Sequence, residues 1–237
     1  MRRRRFLSRC ALLGGAATLG PLAGLPAAWA EQTPRLFART RLTDVHGRPL
    51  RAADLAPETN YVFQYPFAAT PCLLLKLARP VTVPAGTRRA DGDAPAWQGG
   101  VGRDRNVVAF SAICAHKLAY PTREVSFIRY QREKSATSAA RVIHCCADHS
   151  VYDPADGARV QSGPAPQPLA GILLEHAAAD DGLYALGTVG PDQFAAFFDK
   201  YRVRLSLEYG ESRARSAVAA TSIVRELSSY CRTTIQC

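Results

Sequence analysis

The hydrophobic positions of this chain fall in short runs. Such runs, rich in β-branched or aromatic residues and bounded by Pro, Gly, Asp or Asn, predict strands. Only one stretch, residues 191–201, changes to helical spacing, with a proline ahead of phenylalanines at positions 194, 197 and 198. We therefore expect an all-β fold of antiparallel sheets with one short C-terminal helix. The predicted strands are residues 60–67, 72–78, 106–114, 123–131, 141–145, 171–176 and 182–189.

The first 30 residues differ from the rest of the chain. Arg2 to Arg5 precede an uncharged Gly/Ala/Leu run that ends in Ala28-Trp29-Ala30. This arrangement is typical of a twin-arginine export signal, with cleavage after Ala30. Cleavage would leave a soluble periplasmic protein. The alternative is an uncleaved N-terminal anchor in the inner membrane, because residues 10–30 carry no charge and are just long enough to span a bilayer.

Length and charge narrow the function classes. The 237 residues carry 30 Lys+Arg against 20 Asp+Glu, and half of the resulting +10 charge lies in residues 1–30. The remaining +5 is too mild to argue for a nucleic-acid partner. Residues 31–237 show no repeat and no second apolar span, so we expect them to form one globular domain.

The cysteines carry the sharpest signal. Six of the seven lie beyond the signal, and in an oxidising compartment an even number ordinarily indicates disulfides. Two of them, however, have a histidine close by, in Cys114-Ala-His116 and in Cys146-Ala-Asp-His149. Each pair follows a predicted strand. Two such loops brought together would offer two sulfurs and two nitrogens to zinc or to an iron-sulfur cluster.

These spacings resemble those of the Rieske iron-sulfur proteins, whose pattern is C-x-H followed by C-x-x-H. The segment SGPAPQPL, residues 162–169, resembles the proline-rich loop that covers the cluster in that family. The resemblance spans about residues 99–190. It implies the Rieske fold of stacked small antiparallel sheets, with a cluster-binding subdomain, for a domain of residues 31–237.

The resemblance also implies a set of site residues. Cys114 and Cys146 would hold one iron of a 2Fe-2S cluster, and His116 and His149 the other. A serine and a tyrosine that tune the family's potential would be Ser150 and Tyr152, if one glycine is missing after the second histidine. Because hydrogen bonds to sulfur raise the potential, we expect a high value within roughly −150 to +300 mV. The alternative is that this serine and tyrosine only finish a turn and fill the core.

Two departures from the family pattern concern the cysteines. The positions of the disulfide that usually braces the two loops hold Ala119 and Asp148. A different bridge is then expected, with Cys145 as its natural participant. Alternatively, Cys145 is itself the ligand, at a spacing of three residues from His149. The cysteines left over by the main assignment are Cys72, Cys145, Cys231 and Cys237.

The function implied is one-electron transfer and not stand-alone catalysis. The protein would pass electrons between a quinol or a dehydrogenase and a c-type cytochrome or other redox protein, through His116 and His149. Lys117 stands where quinol-oxidising relatives carry a leucine. This favours the alternative of a small subunit of a larger periplasmic oxidoreductase. A zinc-stapled or disulfide-stapled binding module without a redox role is the remaining hypothesis.

Overall fold

The computed structural model describes residues 34–83, 97–210 and 212–237. The predicted signal, residues 1–30, lies outside them. The described part contains fourteen strands and three short α-helices, besides three single-turn 3-10 helices. The strands are β1 Arg35–Thr43, β2 Tyr61–Gln64, β3 Pro71–Lys76, β4 Val107–Ser111, β5 Val125–Ser126, β6 Ile128–Gln131, β7 Val142–Cys145, β8 Ser150–Asp153, β9 Arg159–Ser162, β10 Gly171–Ala177, β11 Gly182–Val189, β12 Thr221–Ile223, β13 Arg225–Glu226 and β14 Thr233–Thr234, and the helices are α1 Phe194–Lys200, α2 Arg202–Tyr209 and α3 Leu227–Tyr230.

The largest sheet has eight strands in the order β12-β1-β11-β10-β4-β3-β2-β13. All its pairs are antiparallel except β1 with β12. The sheet curls until its ends meet, since the Ser222 hydroxyl of β12 donates to the Gln64 carbonyl of β2 at 2.8 Å and accepts from the Gln64 N–H at 3.2 Å. This closure leaves little unpaired strand edge.

A second sheet carries the loop of interest. Its four antiparallel strands run in the order β6-β7-β8-β9, and the turn between β7 and β8 holds residues 146–149. A third sheet pairs β5 with β14 in parallel, which brings the C-terminal segment alongside β6 and β7. The prediction of an all-β chain built from stacked antiparallel sheets is confirmed.

Strand β3 shows how one strand serves two cores. Its side chains alternate between faces. Leu73 packs with Phe110 and Tyr152 in the core between the two larger sheets, whereas Leu74 packs with Phe63 in the core enclosed by the eight-stranded sheet. A run such as PCLLLK, apolar at nearly every position, is what burial on both faces requires.

The helical prediction also holds. The first helix begins at Phe194, and Phe194, Phe197 and Phe198 are all buried. Phe197 meets Tyr120 edge to face at a centroid distance of 4.9 Å, so the aromatic stripe forms a third core beside the first cysteine loop. A second helix, α2, follows directly. Among the described residues, no helix is long and apolar enough to cross a membrane.

Candidate metal centre

The first cysteine loop follows β4 and closes on itself. The Cys114 N–H donates to the Ala119 carbonyl at 2.9 Å, and the Leu118 N–H donates to the Cys114 carbonyl at 3.0 Å. Leu118 has a φ of 58°. This tight turn leaves the Cys114 side chain fully buried while His116, at the tip, stays partly exposed.

The second loop is the β7–β8 turn. The Asp148 and His149 N–H groups both donate to the Cys145 carbonyl, at 3.3 and 2.8 Å. His149 has a φ of 58°. The Cys146 N–H donates to the Phe127 carbonyl at 2.7 Å, which ties the turn to the start of β6. The consequence is that consecutive side chains of this loop point to different surroundings.

Two thiols meet where the loops converge. Cys114 and Cys145 are both fully buried, and their sulfurs and an Asp148 carboxylate oxygen all lie within 4.8 Å of one another. A hydrogen bond from the Cys145 thiol lowers the pKa of Cys114, and the same interaction raises the pKa of Cys145. The two sulfurs are thus direct neighbours, as two ligands of one metal site would be.

A tyrosine hydroxyl is directed at one of these sulfurs. Tyr152 is fully buried on β8, and its hydroxyl accepts the Ala115 N–H at 3.2 Å and lies 3.4 Å from the Cys114 sulfur. Because the oxygen accepts from Ala115, its proton is available to donate to the sulfur. Burial raises the pKa of Tyr152, so the hydroxyl keeps this proton.

The Asp148 carboxylate completes the polar side of the site. One oxygen, Oδ1, accepts the Ser150 N–H at 3.0 Å. The other, Oδ2, lies 3.0 Å from His116 Nδ1 and 3.4 Å from the Cys114 sulfur. Burial works to raise the pKa of Asp148, but hydrogen bonds from Ser150, Cys114 and His116 outweigh it and lower that pKa. An ionised carboxylate therefore stands beside two thiols and an imidazole.

The remaining predicted ligands lie on the other side of the turn. Cys146 forms a disulfide with Cys237. The Cys237 sulfur lies 3.4 Å from Nδ1 of the buried His144, whose ring centroid is 5.5 Å from that of His149. Burial lowers the pKa of His144 and favours its neutral form. This second group of donors, His144, His149 and Cys237, also lies within 4.8 Å.

The structure thus brings together only part of the predicted set. Cys114 and His116 lie in one site, as expected. In this structure the Cys146 sulfur, predicted as a ligand, is bonded to Cys237, and the bridge expected at Cys145 is formed by its neighbour instead. His149 lies with His144 on the far side of the turn.

Ser150 and Tyr152 take different roles. Tyr152 contacts the site sulfur, so it is more than core filling. The Ser150 hydroxyl is buried and has no hydrogen-bond partner within the described residues. A buried orphan hydroxyl is costly unless something accepts its proton.

The proline-rich segment covers this site. Ala165 and Leu169 belong to the same core as Cys114, Cys145 and Tyr152. A Cβ added at Gly163 would stand 2.4 Å from the His149 carbonyl oxygen, so the segment approaches the second loop as closely as backbone allows. Cys114 and Cys145, which share that core with the segment, are fully buried.

No family model matches the chain. Among solved structures, the chain is similar to the soluble domain of the Rieske protein II from Sulfolobus acidocaldarius, with 25% sequence identity. The match covers 65% of this chain and 80% of that chain, with a TM-score of 0.45.

Proposed function

We propose that this chain is a one-electron carrier that holds a 2Fe-2S cluster between its two cysteine loops, with Cys114, Cys145 and His116 among the ligands. The observation that carries the proposal is the pair of buried thiols with a tyrosine hydroxyl 3.4 Å from one sulfur. Thiolates suit iron, and hydroxyl donors suit the charge that sulfur gains on reduction.

In the proposed site, some residues would hold the cluster and another would pass the electron to a partner. Cys114 and Cys145 anchor the cluster in the core, where Tyr152 donates to sulfur. His116 stands at the protein surface with 37% of its side chain exposed. When bound, the cluster supplies a one-electron couple. The exposed imidazole gives that electron the shortest path to a partner.

The surroundings of His116 favour an acidic partner. Lys117 follows it in the loop, and the Lys200 ammonium donates to the Lys117 carbonyl at 2.6 Å. Two cations beside the exit would attract and orient an acidic protein. We therefore propose a c-type cytochrome, or a redox subunit of a larger oxidoreductase, as the partner. The arginine-rich first residues support a periplasmic location for this exchange.

The test is to express the full chain with its own signal sequence, purify the resulting protein and measure its metal content. About two irons and two acid-labile sulfides per chain, with a paramagnetic resonance signal that appears only on reduction, are the expected result. A single zinc per chain without sulfide would refute the proposal, since the close approach of Cys114, Cys145 and Asp148 would then serve one ion.

A further inference from the structure

We propose that Asp148 is the fourth ligand of the cluster, so that the site is built from two cysteines, one histidine and one aspartate. The inference rests on the function proposed above. It assigns Cys114 and Cys145 to one iron and His116 and Asp148 to the other, because the two sulfurs are neighbours and His116 Nδ1 lies 3.0 Å from Asp148 Oδ2.

The burial of Asp148 is the first argument. Only 2% of its side chain is exposed, whereas its neighbour His116 is 37% exposed. Removing a carboxylate from water is costly unless a cation or several donors compensate. Among the described residues its hydrogen-bond partners belong to Ser150, Cys114 and His116, and no lysine or arginine contacts it. These donors hold a buried, ionised carboxylate at the site, and a metal ion there would add the positive charge that no lysine or arginine supplies.

The two carboxylate oxygens are differently engaged, which is the second argument. Oδ1 accepts the Ser150 N–H at 3.0 Å and lies 3.7 Å from the Cys114 sulfur. Oδ2 is the oxygen nearest to both His116 Nδ1, at 3.0 Å, and the Cys114 sulfur, at 3.4 Å. One oxygen thus fixes the orientation of the group while the other projects among the remaining donors. This is how a carboxylate is held when it binds a metal through one oxygen.

The spacing of the second loop is the third argument. Cys145 and Asp148 are separated by two residues, as are the second cysteine and histidine of the C-x-x-H pattern. With Asp148 in the position of the histidine, Ser150 and Tyr152 follow at the expected distances and no missing glycine is needed. The tyrosine contact with Cys114 then agrees with the alignment.

The placement of His149 is the fourth argument. Its backbone has a φ of 58°, and its ring lies next to His144, beside the Cys146–Cys237 bridge. The ring of His149 thus belongs to the group formed with His144 and Cys237, whereas Asp148 contacts Cys114 directly.

A carboxylate ligand changes the charge of the site. Replacing a neutral imidazole by a carboxylate makes the oxidised cluster one unit more negative, which opposes the addition of an electron. Since thiolate-to-imidazole replacement raises the potential of such clusters, the reverse change of charge lowers it. The potential expected for this chain is therefore below that of a two-histidine site in the same surroundings.

The experiment compares Asp148→Asn, Asp148→His and His149→Ala with the wild-type chain by iron and sulfide content, resonance line shape and reduction potential. Asparagine keeps the oxygen that accepts from Ser150, so a purely structural role would survive it. We expect Asp148→Asn to lose at least about tenfold in bound iron. Asp148→His should keep the cluster with an altered line shape and a higher potential, and His149→Ala should match the wild type in all three measurements.

The outcomes separate the two proposals. Wild-type iron and line shape in Asp148→Asn, or loss of the cluster in His149→Ala, would overturn the ligand assignment and leave the electron-transfer proposal standing. A wild-type protein without iron and sulfide would refute the electron-transfer proposal before any variant is compared. Rescue of the cluster by Asp148→His shows that the loss in Asp148→Asn is the loss of a donor and not of the fold.

Discussion

Removal of the Tyr152 hydroxyl tests the electron-transfer proposal most directly. In Tyr152→Phe the ring stays in the core, but two contacts of the hydroxyl disappear. In the first contact the hydroxyl oxygen accepts the Ala115 N–H at 3.2 Å. In the second the hydroxyl, as donor, lies 3.4 Å from the Cys114 sulfur. The first contact concerns stability and the second concerns the potential, so one variant gives two independent measurements.

The magnitudes follow from these two contacts. Ala115 is 5% exposed, so its orphaned N–H should lower the free energy of unfolding by about 1–3 kcal/mol. A hydrogen bond to a charged acceptor is about twice as strong as one to a neutral acceptor. The bond from Tyr152 should therefore strengthen by about 1 kcal/mol when reduction makes the Cys114 sulfur more negative, and this favours the reduced state. For one electron, about 1.4 kcal/mol corresponds to 59 mV. We expect the potential to fall by roughly 40–60 mV.

The assay is a redox titration followed by paramagnetic resonance, with thermal unfolding measured on the same samples. Tyr130→Phe is the matched control, because Tyr130 is buried in the same core and its hydroxyl bonds Glu58 at 3.0 Å, away from the sulfurs. The control should lose stability without a change in potential. An unchanged potential in Tyr152→Phe, with the cluster intact, would refute the reasoning.

Three further predictions use other parts of the molecule. Cys145→Ser should lose iron, whereas Cys146→Ser should keep iron but lose up to about 4–5 kcal/mol of stability, because its disulfide closes a separation of 91 residues. Iron analysis measures the first effect, and unfolding with and without reductant measures the second. Loss of iron in Cys146→Ser but not in Cys145→Ser would restore Cys146 as a ligand. Gly163→Ala should destabilise by about 1–3 kcal/mol, since residue 163 has a φ of 89° and a Cβ there meets the second loop; an unchanged melting temperature would contradict this. Burial works to raise the pKa of Glu58, but hydrogen bonds from Arg141 and Tyr130 outweigh it and lower that pKa. The wild type should therefore be more stable than Glu58→Gln by its full margin above about pH 4.3, and this margin should vanish as pH falls through the lowered pKa. Unfolding from pH 7 to 3 measures the margin, and a margin that grows on acidification would be inconsistent with the lowered pKa.

Burial decides which strands the sequence could reveal. The predicted runs at β3, β4 and β11 are apolar because their side chains are buried, and the structure confirms them. The sequence pattern does not predict β1, because most of the first half of this strand is exposed. Its arginines pair with acidic residues of distant segments, as Arg39 does with Glu175. Such a strand is stabilised by partners that local pattern does not show.

The same distinction applies to the site. The first loop could be predicted because its cysteine and histidine are close in sequence and both face the site. The choice between Cys145 and Cys146 depends on strand parity: Ile143 is a core residue, and the residue two positions on shares its face. That signal was present in the sequence. Asp148 could not be identified in this way, because a carboxylate in a polar turn is ordinarily solvated, and only the packed loops show its burial.

The pairing of β7 with β6, in which Cys145 lies opposite Ile128, has a consequence for how this protein can vary. A slip of β7 by one residue would exchange the faces of its side chains. The Cys146 thiol, which is bonded to Cys237 in this structure, would then face the proposed metal site, and the Cys145 thiol would face the position of the disulfide. Two adjacent cysteines with opposite chemical fates thus make strand register a determinant of redox chemistry, and any insertion tolerated between residues 131 and 142 must leave that register intact.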